Sequence, residues 1–233
     1  MNLQSETTPP QSKSCVGLPV QWAGRNFRLL APGGVYWETQ NLLMVADTHF
    51  GKEATFRSAS IPVPRGSTRE TIRRTSKLID QVQPATVVVL GDLFHHRTSL
   101  SDETIQALDE CFVRHAVTRW VLVRGNHDRG LGKLPAHWPL EDAGEAWDLN
   151  GVRMQHHPAD PPGDAELLFC GHLHPAVRLN SRSASLGKLP CFWKSKQTIV
   201  LPAIGDFTGT AKIRPGKQDQ VYVVADDEVF HLP

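Results

Sequence analysis

Short apolar runs in this chain repeatedly end on Asp, Asn or His, and that recurrence limits the folds open to it. The clearest run is Thr86–Leu90, TVVVL, β-branched or aliphatic throughout, which ends on Gly91-Asp92. A run of this kind suits a strand covered on both faces. Trp120–Val123 repeats the design and ends on Arg124-Gly125-Asn126, while Leu42–Ala46 ends on Asp47. Two segments between these runs carry helical periodicity. Thr68–Val82 places Ile72, Thr75, Leu78, Ile79 and Val82 on one face. Ser101–Ala116, with Ser101 as N-cap, places Ile105, Leu108, Phe112 and Ala116 on another. Alternating strands and helices predict a layered α/β domain.

Strands are also expected at Asn26–Leu30 and Val35–Glu38, around a Pro-Gly-Gly turn, and at Trp147–Leu149 and Val152–Gln155, around Asn150-Gly151. The latter turn is a strong hairpin signal. Glu166–Cys170, Val177–Leu179, Thr198–Leu201 and Val221–Val224 add strands with few helical stretches between them, and Ser181–Pro190 reads as an exposed loop. Residues 1–18 are polar and Pro-containing, without the apolar centre of a signal peptide, so a flexible tail is expected before one domain over 19–233. The four cysteines form no C-x-x-C pair, which points to reduced thiols in a cytoplasmic protein. No apolar run reaches the roughly 18 residues of a membrane span, so no membrane partner is expected.

The charge balance, 25 Lys+Arg against 24 Asp+Glu, excludes coating of nucleic acid by bulk electrostatics. Any polymer contact must be local. Eleven His against two Tyr turn attention to imidazole chemistry. The clusters after the runs are Asp47-Thr48-His49, Gly91-Asp92, Gly125-Asn126-His127-Asp128, His156-His157 and Gly171-His172-Leu173-His174. Sites in α/β sheets gather where loops leave the C-terminal strand ends. Each cluster alone has a plain structural explanation, such as a turn or a helix start, but their joint order does not. Carboxylate, imidazole and amide oxygen without thiolate suit Mn, Fe, Zn or similar ions. Seven such groups exceed the needs of one tetrahedral zinc and match two ions sharing a carboxylate, roughly 3.5–4 Å apart.

In this order, D-x-H, G-D, G-N-H-D, a strand-end His and G-H-x-H resemble the calcineurin-like metallophosphoesterase superfamily over Asp47 to His174. The resemblance implies a four-layer α-β-β-α sandwich, two mixed sheets flanked by helices. It implies that Asp47, His49 and His174 bind one metal, that Asp92 bridges, and that Asn126, His156 and His172 bind the second. His127 would be the general acid or a phosphate contact, with Asp128 orienting its imidazole. At the fourth motif His156 is favoured because Val152, Met154 and His156 share a strand face, with His157 as the alternative.

A narrower similarity, to the bacterial ligase-associated DNA damage response endonucleases, rests on three further stretches. These are His49-Phe50-Gly51-Lys52 through Arg65-Gly66, Gly91-Asp92-Leu93-Phe94-His95-His96, and Leu201-Pro202-Ala203 to Phe207-Thr208-Gly209. It implies two divalent ions, manganese first and zinc, iron or magnesium as alternatives, and in-line attack by metal-bound hydroxide on a phosphodiester of DNA or RNA. Association with a DNA ligase or helicase is implied by that name alone. Lys52 and Arg65, read as loop residues, and Arg129 are the expected substrate contacts. Arg69 and Arg73 share a helix face that suits solvent at least as well as substrate. His95 and His96 either line the cleft or sit on an exposed loop; His115, His137 and His231 carry no expected chemistry. The competing functions are a small-metabolite phosphatase or pyrophosphatase and a non-catalytic scaffold.

Overall fold

The computed structural model describes residues 16–180 and 185–233. One sheet holds seven strands in chain order: β1 (Leu18–Trp22), β2 (Arg25–Leu30), β3 (Gly34–Trp37), β4 (Leu42–Val45), β5 (Thr86–Leu90), β6 (Arg119–Val123) and β7 (Leu140–Asp142). β1 to β4 are antiparallel neighbours, whereas β4 to β7 run parallel. Parallel neighbours need long crossovers, and these hold α1 (Lys52–Ser58), α2 (Ser67–Val82) and α3 (Asp102–Arg114). The Ser101 hydroxyl accepts from the Thr104 amide at 3.3 Å, as its N-cap reading requires. α3 stops at Arg114, so Ala116 lies beyond the helix and is exposed, while His115 is buried.

The second sheet contains β8 (Ala146–Leu149), β9 (Val152–Gln155), β10 (Leu167–Cys170), β11 (Pro175–Asn180), β12 (Ser185–Ser195), β13 (Thr198–Val200), β14 (Ala211–Lys212), β15 (Gln220–Ala225) and β16 (Glu228–Leu232). It is mixed: β10 lies parallel to β9 and β13, and β12 is antiparallel to β11, β13 and β15. Asn150 and Gly151, both at positive φ (47° and 76°), close the β8–β9 hairpin. The expected loop over Ser181–Pro190 is corrected in part. Ser185–Pro190 belong to β12 and pair with β11, and 181–184 lie outside the described residues. β1 begins at Leu18, the last residue assigned to the tail, and residues 1–15 also lie outside.

TVVVL shows how the layers arise. Val88 and Leu90 face the second sheet with Met44, Val121, Met154, Phe169 and Phe192; Val87 and Val89 face the helices with Leu78, Ile79, Leu108 and Phe112. Burying each such side chain contributes about 1.5–3 kcal/mol, so both faces of β5 hold the layers together. The expected two mixed sheets of the α/β sandwich are present, and among the described residues the long helices lie on the first. α2 and α3 pack on the first sheet, whereas the outer side of the second carries small clusters such as Leu168, Cys170 and Val200. Its consecutive antiparallel pairs, such as β8–β9 and β15–β16, are joined by hairpins that need no crossover helix, and the parallel β9–β10 pair is joined by the loop over 156–166. No helix among the described residues is long and apolar enough to cross a membrane.

Candidate metal centre

The site begins where the β4–β5 pairing continues past the strand ends. The Asp47 amide donates to Gly91 O at 3.2 Å, and the His49 amide to Asp92 O at 2.9 Å. This ladder sets the two loops side by side. The loop after β13 closes over it, since the Ile204 and Gly205 amides donate to Ala46 O and Asp47 O at 3.0 and 3.1 Å. Asp47, His49, Asp92, His172 and His174 all have positive φ, from 44° to 69°. Left-handed backbone is rare for residues with a Cβ and concentrates at functional sites.

Three groups of side chains bring their ligand atoms within 4.8 Å of one another: Asp47, His49 and His174; Asp47, Asp92 and His156; and His156, His157 and His172. In the first, His174 Nε2 lies 3.4 Å from Asp47 Oδ1, and His174 Nδ1 faces Gly209 O at 3.1 Å. A carbonyl only accepts, so Nδ1 carries the proton and Nε2 is left for a ligand. His156 is held likewise, its Nδ1 3.0 Å from Leu90 O. Its Nε2 meets Asn126 Oδ1 at 3.0 Å and Asp92 Oδ1 at 3.4 Å. His172 Nδ1 lies 3.2 Å from the same nitrogen, so Asn126 and His172 both reach it.

The donors fit a pair of divalent cations. Both nitrogens of His49, and Nε2 of His174, are buried without a hydrogen-bond partner. Native proteins rarely leave such atoms unpaired. Asp47 and Asp92 are buried carboxylates whose charge requires compensation. Burial, reinforced by Lys52, His174 and His127 and opposed by Asp92, pushes the His49 pKa down to about 3. Burial works against ionised Asp92, but hydrogen bonding and charge from His156, the His127 amide and His49 hold it at about 2. Burial and the neighbouring His156 and His157 also lower His172. Ionised Asp92 and neutral His49 and His172 are the forms that bind metal, while His156, against burial, is raised by Asp92 and Asp47 and would give up its proton to a bound cation.

Two motif glycines are required by space. A Cβ on Gly125 would lie 2.2 Å from Asp92 Oδ1, and one on Gly171 would lie 2.5 Å from Asp47 Oδ2. At both positions any side chain would displace a carboxylate.

His127 stands beside this group. Its amide donates to Asp92 Oδ1 at 3.0 Å, and its ring lies near His49 and stacks on His95 at 4.8 Å. The expected bond from Asp128 to the His127 ring is not among the carboxylate's contacts. Asp128 accepts from the Leu93 and Gly125 amides at 3.0 and 2.8 Å. It therefore ties the Asp92 loop to the Asn126 loop, because backbone donors surround it. His157 is exposed and packs against His172, while His156 occupies the buried position.

The expected substrate contacts separate. Lys52 heads α1 rather than a loop; it is half-buried, desolvation lowers its pKa, and its charge acts on His49 and His95. Buried Glu53 accepts from the Thr68 amide at 3.0 Å and anchors α1 to the start of α2. Arg129 is exposed and paired with Glu145 at 2.8 Å. Arg65 is exposed, and no hydrogen bond or ion pair joins it to the cluster among the described residues. His95, left open by the sequence, lines the cleft against His49, His127 and Phe56, whereas His96 caps a turn. Buried Leu93 and Phe94, the latter bridged to Phe50, set that direction.

Comparisons with known proteins show the family and a related structure. The calcineurin-like phosphoesterase family profile matches residues 41–176. The crystal structure of Pseudomonas putida nuclease MPE is 32% identical, covers 92% of this chain and 99% of its own, and superposes with a TM-score of 0.79. A protein of unknown function from Aquifex aeolicus is 20% identical, over 60% of this chain and 81% of its own, with a TM-score of 0.39. No curated protein sequence matches the chain.

Proposed function

The chain belongs to the calcineurin-like phosphoesterase family and is a metal-dependent phosphoric ester hydrolase, and from that premise we propose that it is a manganese-dependent phosphodiesterase cleaving nucleic acid. The observation that carries the chemistry is the buried set of Asp47, Asp92 and His156 within 4.8 Å, flanked by two further histidine groups. The nucleic-acid substrate is supported by the 32% identity to a nuclease over 92% of the chain. A repair setting follows only from the subfamily resemblance.

In this reading Asp47, His49 and His174 would hold one ion and Asn126, His156 and His172 the other, with Asp92 lying between the two groups. Such ions would supply charge neutralisation for the phosphate and lower the pKa of an attacking water. Leu90 O and Gly209 O fix the tautomers of His156 and His174, so that each presents Nε2 to the cluster. His127 stands at the rim, where its ring can give a proton to the departing oxygen. Its amide bond to Asp92 holds that position. Asp128 braces both loops, and Lys52 adds a cation beside the first group. The test compares manganese-supported turnover on a phosphomonoester, a small diester, a nucleotide pyrophosphate, and single- and double-stranded DNA. Cleavage of DNA and diester is expected; turnover confined to the monoester or pyrophosphate would place the enzyme among small-metabolite phosphatases.

A further inference from the structure

β11 leaves the metal centre directly, since Pro175 follows His174 and the Ala211 amide of β14 donates to His174 O at 3.0 Å. β14, β11 and β12 lie side by side, with Ala176 opposite Lys212 and Pro190, and Arg178 opposite Lys188. Strand residues alternate between faces. Val177, Leu179, Leu189, Cys191 and Ile213 pack together on one face. Arg178, Lys188 and Lys212 therefore share the other, and all three are exposed. Arg214, two residues beyond the end of β14, is also exposed.

This face gathers exposed cations on neighbouring strands without an acid among them. Cations on the helical flank are matched by acids: Arg73 and Arg74 with Glu70, Lys77 with Asp227, and Arg114 with Asp80. None of the ion pairs among the described residues includes Arg178, Lys188, Lys212 or Arg214. Like charges directly opposite one another destabilise a strand pair, so an anion bound between Arg178 and Lys188 would relieve their repulsion. Four residues at about 3.3 Å each place Arg178 about 13 Å along the strand from His174. That span is long enough to meet several backbone phosphates, which lie about 3.4 Å apart along the axis of each duplex strand and farther apart in an extended single strand.

We propose that this basic sheet face is the track along which the sugar-phosphate backbone of the nucleic-acid substrate leaves the metal centre. The proposal rests on the nuclease reading and adds to it the surface that holds the polymer. Because the track touches phosphates, it grips without sequence preference. It also shows how a chain of net charge +1 handles a polyanion, through a local strip beside the site.

The test uses the full chain with manganese and charge reversal of Arg178→Glu, Lys188→Glu and Lys212→Glu, singly and together. Arg178→Gln and Lys212→Gln serve as milder variants should the triple variant not fold. The readouts are kcat/KM on an oligonucleotide divided by kcat/KM on a small chromogenic diester, and the dependence of oligonucleotide binding on salt. The triple variant is expected to lower the ratio at least tenfold and to flatten the log–log salt slope by about 2, at about 0.7 per lost phosphate contact on a single strand. The Gln variants lower it about twofold each. A wild type that cleaves DNA, with an unchanged ratio and slope in the folded variants, overturns the track alone. A wild type that hydrolyses the diester but neither binds nor cleaves DNA overturns the nuclease reading as well.

Discussion

Two His–Asp neighbours show how differently this molecule treats the same chemistry in two regions. On the helical flank His137 Nε2 and Asp109 Oδ1 meet at 2.8 Å, exposed and mutually satisfied. In the cleft His49 Nε2 stops 3.9 Å from Asp92 Oδ2, and both residues are buried. The flank closes its polar groups on one another, as Arg73 and Arg74 do with Glu70. The cleft holds them apart. Polar groups left open inside a protein cost free energy, so the open set marks where an outside partner is intended to complete the structure.

That contrast predicts a gradient of mutational effects. The largest belongs to Asp92, which faces His49, His127 and His156. Asp92→Ala is expected to lower diester hydrolysis by at least about a thousandfold, the several kcal/mol that bound metal supplies, with metal content falling in parallel by elemental analysis. A fully active, metal-replete variant would break the comparison. His127→Ala should lower turnover about a hundredfold or more, the range of general acid catalysis, while metal content stays near that of the wild type. Loss of both together would reassign His127 to holding metal.

Gly171→Ala is next. Its Cβ falls 2.5 Å from Asp47 Oδ2, and overpacking of this kind costs about 1–3 kcal/mol. A lowered Tm and weaker metal binding are expected, and normal values for both would show that the Asp47 loop yields freely. On the flank the expected effects shrink. Hydrogen bonds from Arg73, against burial and together with Arg74, hold the Glu70 pKa at about 2, below its ordinary 4.5. A depressed carboxylate stabilises the fold above the ordinary value and loses that contribution as pH falls through the depressed one. Denaturation of Glu70→Gln should therefore differ from wild type by no more than about 1 kcal/mol at neutral pH, and the difference should vanish as pH drops from 4.5 toward 2. A difference that grows with acid would reverse the sign. Smallest is Arg129→Ala, expected within about 0.5 kcal/mol in stability. A large loss of DNA cleavage in that variant would return Arg129 to the cleft.

The cleft was more legible in the sequence than its surroundings, because its constraints are local. A strand end, a glycine and a metal-binding type of side chain lie within a few residues of one another, as at Leu90-Gly91-Asp92 and Cys170-Gly171-His172. Similarly, Asn150-Gly151 marks a hairpin within two residues. What depends on distant partners was not legible. Asp128 turns to the Leu93 amide, 35 positions away, and nothing beside it in sequence indicates this. Ser185–Pro190 contain a Gly and a Pro, yet pairing with β11 makes them strand. α1 has seven residues, too few to show a period, and its anchor is the contact of Glu53 with Thr68.

The left-handed backbone of Asp47, His49, Asp92, His172 and His174 has a consequence for how this fold can change over time. Each such residue with a Cβ costs roughly 1–2 kcal/mol relative to ordinary backbone, a cost that glycine avoids and asparagine reduces. Selection for hydrolysis and selection for a durable fold therefore pull in opposite directions at the same five positions. A duplicated copy relieved of catalysis would gain stability by changing these five residues first. Inactive descendants of this architecture should carry glycine or asparagine where this chain carries histidine and aspartate, and should melt at higher temperature for having done so.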